Sequence, residues 1–178
     1  RDGWMHSGDQ GYFDEQGHLI IIDRLGEVMK LTDGSKFAPQ FIENKLKFSP
    51  YIREAIIIGN DREYVAALIQ IDMVVTGKWA ESHQIPHTTF RDLSQKKEVY
   101  ALIKDEVQKA NSDLPKVARV NRFILLDKEL DAEDGEITQT QKVRRRAVTQ
   151  KYEKLIEMLY SNEESEEVGR VRYQPVAV

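Results

Sequence analysis

The chain has 178 residues, 40% of them hydrophobic and 31% charged, and a formal net charge of -4 at pH 7. That length supports one ordinary domain core, and the composition is that of a soluble globular protein rather than a disordered one. The charge gives no overall attraction to nucleic acid, so we expect no nucleic-acid partner. The absence of cysteine excludes a disulfide framework and thiolate catalysis, and it fits a cytoplasmic location.

The first 22 residues alternate between turn clusters and short apolar runs. Residues 11–13 and 18–23 read as two strands joined by a turn, which predicts a hairpin. The pattern changes at residues 23–27, where Gly26 provides backbone freedom, so we place a domain boundary there. Because the chain begins with Arg1 rather than Met, we expect it to be a piece of a longer polypeptide.

Residues 28–160 mix strand and helix signals, and residues 161–178 form a tail without a clear pattern. The apolar runs 52–59 and 64–71 predict a second hairpin, the core of an α+β domain, covered by helices near 41–46 and 99–110. The other predicted elements are a strand at 28–31, a turn at 32–35, a helix from Pro39 to Pro50 with Phe41, Ile42, Leu46 and Phe48 on one face, helices at 74–83 and from Ser94 to about 111, a strand at 120–126, a turn at 131–135 and a helix at 144–159.

Two polar residues near the first hairpin are suited to bind a nucleotide. Asp9 follows a Ser-Gly turn, and a carboxylate beside glycine can accept paired hydrogen bonds from ribose hydroxyls. Arg24 can clamp hydroxyls or phosphate in a geometry that lysine cannot match. Taken singly, Asp9 is better explained as a turn residue, and the alternative for Arg24 is a surface ion pair with Asp23 or Glu27.

Lys142 has the clearest mechanistic case. A long cationic side chain on a loop can neutralise the charge that develops on oxygen during phosphoryl or acyl-phosphate chemistry. The alternative is a lysine at a helix start within the basic run 142–146. Gly34 lets the backbone approach an extended ligand arm, or it simply forms a tight turn. The four histidines have no metal-ligand spacing, so no metal site is predicted.

Four segments together resemble the adenylate-forming superfamily, and within it the long-chain fatty acid–CoA ligases. Residues 3–9 are similar to the family's GW-x-x-TGD segment, with Ser7 in place of threonine, and residues 23–27 resemble its DRLKE hinge. Residues 28–43 resemble the glycine loop and the Pro-x-x-Ile-Glu helix start that follow. Residues 138–142 resemble the LTPTLK segment, with Gln139 where proline is common. The match covers about residues 1–160 in order, which is more specific than any single motif.

The resemblance implies a role for each candidate residue. Asp9 and Arg24 would bind the ribose of ATP, and Gly26 would be the pivot, at a position that the family often fills with lysine. Gly34 would lie in the loop that lines the pantetheine tunnel, and Lys142 would be the adenylation lysine.

The resemblance also implies a two-step ligase that converts a fatty acid and Mg²⁺-ATP to acyl-AMP and then transfers the acyl group to CoA. Residues 1–22 would be the last strands of a large N-terminal domain, 23–27 the hinge, 28–160 the mobile C-terminal domain and 161–178 the tail. The large domain would hold most of the Mg²⁺ and ATP contacts, so we expect this chain alone to be inactive. Peripheral membrane association stays open.

Two other functions fit the sequence. One is a different adenylating ligase, acting on an aryl or bile acid, and the other is a non-catalytic α+β binding module that uses residues 142–146 on an anionic partner. An upstream in-frame segment with a Ser/Thr/Gly-rich phosphate loop would favour a ligase over the module. If residues 1–22 belong to a large domain, we expect Trp4, Tyr12 and Ile21 to be exposed.

Overall fold

The two most apolar runs of the chain are neighbouring strands of a four-stranded sheet in the computed structural model, which describes residues 7, 9–13, 15–24, 28–161 and 173–175. Within those residues the elements are, in chain order, β1 (Asp9–Phe13), β2 (Leu19–Arg24), β3 (Met29–Lys30), β4 (Lys36–Phe37), α1 (Pro39–Leu46), β5 (Ile52–Ile58), β6 (Val65–Ile71), α2 (Met73–Ser82), α3 (Phe90–Ser94), α4 (Lys97–Ser112), a 3₁₀ turn (Lys116–Ala118), β7 (Val120–Leu125), α5 (Arg145–Lys151), α6 (Glu153–Tyr160) and β8 (Tyr173–Pro175).

The strands of the main sheet follow the order β5-β6-β7-β8. Strands β5 and β6 form the predicted hairpin, β6 pairs parallel with β7, and β7 pairs antiparallel with β8. All seven residues of β6 are buried. A strand that is covered on both faces has no solvent side, which explains why β6 is continuously apolar rather than alternating.

The two faces of this sheet carry two separate apolar clusters. Ile57 and Ala67 belong to the cluster that includes residues of α1 and α4, and Ile56 and Leu68 belong to the one that includes residues of α5 and α6. This division follows the period-2 alternation of side chains along a strand. The predicted α+β class is confirmed, and so is the central hairpin covered by α1 and α4.

Several local predictions were wrong. Ser94 does not cap a helix: it ends α3, which Thr89 caps through the Asp92 N–H, and α4 begins only at Lys97. The predicted helix at 144–159 is broken at Tyr152 into α5 and α6. Phe48 lies outside α1 and is 81% exposed. The tail, which shows no sequence pattern, contributes β8 because an open edge of β7 accepts its backbone.

The first hairpin, β1 and β2, is also confirmed. Two of its apolar side chains, Phe13 and Leu19, are 71% and 56% exposed. Trp4 and the side chains of Tyr12 and Ile21, for which exposure was predicted, lie outside the described part of the chain, as do residues 25–27. The domain boundary at 23–27 therefore stays a prediction.

Candidate functional site

The candidate ribose-binding residues lie at one end of the first hairpin. Asp9 and Arg24 are direct partners in the β1–β2 ladder, and the register shifts between Gln10 and Gly11 so that the strands slip by one residue. A residue pair separated in sequence is thus brought to adjacent backbone positions. The side chains of both residues are outside the described set, and their ribose-binding role stays a prediction.

Gly34 occupies the turn of the β3–β4 hairpin. Its φ is 89°, a left-handed conformation in which other residues are strained, so glycine is required there by the backbone. The turn is closed by hydrogen bonds from the Leu31 N–H to the Ser35 carbonyl (2.8 Å) and from the Gly34 N–H to the Leu31 carbonyl (3.0 Å). It is held against the main sheet by the Thr32 N–H, which donates to the Arg62 carbonyl at 3.0 Å.

Lys142 lies in a small hairpin of residues 136–144, which we call the lysine hairpin. Its base is closed by the Arg144 N–H, which donates to the Glu136 carbonyl at 2.7 Å, and the Thr138 N–H donates to the Lys142 carbonyl at 2.8 Å. Gln141 takes the left-handed conformation that the tight turn needs, with φ 61°. Lys142 itself is exposed. Its ammonium has no hydrogen bond or ion pair among the described residues, so it is available to a ligand.

The base of the lysine hairpin is anchored by Glu136, whose side chain is completely buried. The Tyr152 hydroxyl donates to Glu136 Oε1 at 2.8 Å, and the Asp131 N–H donates to Oε2 at 2.8 Å. The ammonium of Lys151 lies 3.0 Å from Oε1, and that of Lys128 lies 3.3 Å from Oε2. Burial alone raises the pKa of Glu136, but these hydrogen bonds outweigh it and hold the pKa below its ordinary value.

Asp134 extends the same network towards solvent. Its carboxylate accepts hydrogen bonds from Lys128 and from Lys151, the latter at 2.8 Å. The two lysines lower the pKa of Asp134 to about 2. Burial and the bond to Glu136 raise the pKa of Tyr152, so its hydroxyl stays a donor at neutral pH. Two carboxylates and two ammonium groups therefore balance one another around the hairpin base.

A second buried carboxylate, Glu43 of α1, holds the residue that follows the hairpin. Arg145 Nη2 lies 2.6 Å from Glu43 Oε1 and its Nη1 donates to the Ile57 carbonyl at 2.9 Å, while the Ile57 N–H donates to Glu43 Oε1 at 2.9 Å. Burial raises the pKa of Glu43, although Arg145 and the Ile57 N–H oppose it. Since α1 follows the β3–β4 hairpin that carries Gly34, this ion pair connects the segments that carry the two candidate loops.

These anchoring residues were missed by sequence reasoning. Glu43 lies inside a segment that carries the family resemblance, and Glu136 lies two residues before another. No spacing indicates that these acids bind Arg145, Lys128, Lys151 or Tyr152. The partners come from distant elements, and a buried acid needs them because an unpaired charge inside a protein is costly. The one signal that the sequence offers is the position of Glu43, directly after Ile42 and three residues before Leu46 in the helical pattern.

No group of three or more metal-ligating side chains occurs among the described residues. The described part of this chain therefore provides no ligand set for the Mg²⁺ that the resemblance implies. In the same part, no helix is long and apolar enough to cross a membrane. A surface pocket of about 780 Å³ is lined by residues such as Trp79, His83 and Leu102, and its lining includes none from the Gly34 turn or the lysine hairpin.

Comparison with known proteins identifies the chain's relatives. A family model described as "AMP-binding enzyme C-terminal domain" matches residues 27–164. The long-chain-fatty-acid–CoA ligase FadD15 of Mycobacterium tuberculosis is 31% identical over 163 residues, which cover 91% of this chain and 27% of the relative. The long-chain-fatty-acid–CoA ligase heimdall of Drosophila melanogaster is 28% identical over 89% of this chain and 29% of its own length.

A solved structure agrees with these relatives. The adenylation domain of a carboxylate reductase from Mycobacterium chelonae superposes with a TM-score of 0.66 at 25% identity, over 89% of this chain and 23% of that one. The chain spans only 27% and 29% of the length of these two curated relatives.

Proposed function

This chain belongs to the family of AMP-binding enzyme C-terminal domains, and on that basis we propose that it is the C-terminal part of a long-chain fatty acid–CoA ligase. The complete enzyme would activate a fatty acid with ATP and transfer the acyl group to CoA. The names of the relatives support this substrate class. Residues 28–160 would form the mobile domain, and residues 1–22 would complete a large domain that supplies the acyl tunnel and the Mg²⁺ site.

Lys142 would act in the first step. A carboxylate oxygen of the fatty acid attacks the α-phosphorus of ATP, a new P–O bond forms, and the bond to pyrophosphate breaks. Negative charge builds up on the phosphoryl oxygens and on the departing pyrophosphate. An ammonium group held at that position stabilises the transition state more than the substrates, which is the requirement for catalysis. The exposed ammonium on an anchored hairpin is suited to this role.

The Gly34 turn would act in the second step. The CoA thiol loses its proton, the sulfur attacks the acyl carbon, and AMP leaves with the electron pair of the broken C–O bond. A glycine without a side chain keeps the turn narrow enough for the pantetheine arm to pass. Rotation about Gly26 would remove the lysine hairpin from the active site and bring the Gly34 turn there in its place. Asp9 and Arg24 would hold the ribose during both steps.

The observation that carries this proposal is the contrast between the tip and the base of the lysine hairpin. Lys142 is exposed while Glu136, at the base, is completely buried and bound to four groups. A lysine that served only as part of a charged patch would need no such support. The competing function, a binding module using residues 142–146, predicts instead that neighbouring basic residues contribute equally.

The decisive experiment replaces Lys142 in the full-length polypeptide. Lys142→Ala should lower pyrophosphate release by about 10²–10³-fold, the usual cost of losing one charged stabiliser of the transition state. CoA consumption from supplied acyl-adenylate should be preserved, since the second step uses the other loop.

The matched control is Arg146→Ala, which removes an exposed positive charge four residues away. It should leave both half-reactions within about twofold of wild type, as surface substitutions usually do. An equal loss of pyrophosphate release in Lys142→Ala and Arg146→Ala would favour the binding module that uses residues 142–146 on an anionic partner. Equal slowing of both half-reactions by Lys142→Ala would contradict the division of labour between the loops.

A further inference from the structure

We infer that Glu136 is a positioning residue for the adenylation step: it fixes the direction in which the lysine hairpin presents Lys142. This inference rests on the function proposed above and names a residue with no contact to substrate. Its effect is transmitted through the backbone of the hairpin.

The geometry of the base supports this role. The Glu136 carboxylate is bound by groups from separate parts of the fold, namely the segment after β7, which holds Lys128 and Asp131, and the junction of α5 and α6, which holds Lys151 and Tyr152. The Glu136 carbonyl accepts the Arg144 N–H on the opposite strand. One residue therefore connects the hairpin to two surrounding segments.

The tip of the hairpin has no comparable support. Its described hydrogen bonds are internal, such as those from the Lys142 N–H to Thr138 Oγ1 (3.1 Å) and from the Gln141 N–H to the Thr138 carbonyl (2.9 Å). Residues 139–142 are exposed. The orientation of the tip is thus determined at the base.

A small change at the base has a large effect at the tip. Lys142 lies two residues beyond the Glu136–Arg144 pair, or about 7 Å at the usual rise of an extended strand. A tilt of about 10° at the base then displaces the Lys142 backbone by about 1 Å, and a misplacement of that size can cost about 10²-fold in rate.

The helix break at Tyr152 fits the same interpretation. Tyr152 ends α5 and precedes α6, with φ -100° and ψ 19°. Its hydroxyl reaches the buried Glu136 from this junction. Lys151, the last residue of α5, contacts the same carboxylate.

The test is Glu136→Gln in the full-length polypeptide, which retains the shape of the side chain and removes its charge. We expect pyrophosphate release to fall by about 10–100-fold, with CoA consumption from supplied acyl-adenylate within about twofold of wild type. Backbone amide exchange should accelerate in residues 137–144 and stay unchanged in α4. A variant that had merely lost stability would exchange faster throughout and slow both half-reactions.

Asp134→Asn is the matched control, because it removes a charge from the same two lysines at a half-exposed position without contacting Tyr152. Its adenylation rate should stay within about twofold of wild type. If Glu136→Gln does not fold, Tyr152→Phe provides the milder test, since it removes one donor to Glu136 and should lower the adenylation rate selectively.

The outcomes separate this inference from the proposed function. If Lys142→Ala abolishes adenylation but Glu136→Gln and Tyr152→Phe do not slow it, the positioning role is overturned and the function stands. If Lys142→Ala leaves adenylation intact, the role of Lys142 is wrong, and the positioning role of Glu136 is overturned with it.

Discussion

At the residue scale, Glu136 and Lys142 have opposite environments although both belong to one short hairpin. The acid is completely buried and fully bonded, and the lysine is exposed. Burial of a carboxylate is unfavourable unless each oxygen has partners, so the position of Glu136 is highly constrained. Because Glu136 is fixed at the base, the hairpin can expose Lys142 to solvent and still present it in one direction.

Gly34 gives a prediction at the same scale. Gly34→Leu in the full-length polypeptide should block thioester formation and spare adenylation, because a bulky side chain in the turn would obstruct the pantetheine path. An ideal Cβ at Gly34 has the Lys30 side chain as its neighbour at 3.7 Å, which is ordinary contact. The free energy of unfolding should therefore fall only by the cost of a non-glycine residue in the left-handed conformation, about 1–2 kcal/mol.

The control for that strain is Gly17→Leu. Gly17 has a similar φ of 82°, and nothing lies within 4 Å of an added Cβ. Each variant should destabilise the domain that contains it by a similar amount in urea denaturation of the full-length polypeptide. Only Gly34→Leu should lose CoA consumption from supplied acyl-adenylate. A Gly34→Leu enzyme with normal thioester formation would show that this turn does not line the CoA path.

At the scale of elements, the Glu43–Arg145 pair joins α1, β5 and α5. Strand β5 is an edge of the four-stranded sheet, so its outer backbone groups need partners from elsewhere. The Ile57 N–H and carbonyl find them in Glu43 and Arg145. The pair thus protects an edge strand while fixing the start of the helix that follows the lysine hairpin.

We predict that Glu43→Ala destabilises the fold by about 2–3 kcal/mol. The change leaves the Arg145 guanidinium and the Ile57 N–H without their partner. The value lies just below the range of about 3–5 kcal/mol for a broken buried ion pair, because the Arg145 side chain is still 26% exposed. Urea denaturation measures the loss.

Lys47→Ala is the comparison, since it breaks a more superficial ion pair between Lys47 and Glu54. Its cost should be within about 1 kcal/mol. If both variants lower the free energy of unfolding by the same small amount, the stability of the β5 edge does not depend on Glu43.

At the scale of the whole molecule, the two apolar clusters contain no described residue before Met29. Strand β2 lies beside α1, but Phe13 and Leu19 of the first hairpin are largely exposed. This distribution is consistent with a hairpin that belongs to a different domain.

Two truncations test this division. Deleting residues 1–27 should change the free energy of unfolding by no more than about 0.5 kcal/mol, because neither apolar cluster contains a described residue before Met29. Deleting residues 162–178 should cost about 1–3 kcal/mol, because the three paired residues of β8 no longer bond to β7. Urea denaturation of both proteins measures the difference. A larger loss from the first deletion than from the second would contradict the predicted boundary.

The sequence by itself determined the α+β class, most elements and the family, because these depend on local periodicity, turn residues and short motifs. It also singled out Lys142 and Gly34, whose positions in the two turns follow from neighbouring residues. Their catalytic roles stay predictions, as do those of Asp9, Arg24 and Gly26.

Only the tertiary structure decided which residues hold these loops. The contacts between Glu136 and Tyr152, between Glu43 and Arg145, and between β6 and β7 all join segments that are distant in the chain. Periodicity records which face of an element avoids water, and it does so for each element separately. The partner of a buried charge is instead determined when the elements pack against one another, so no local pattern in the sequence could have identified it.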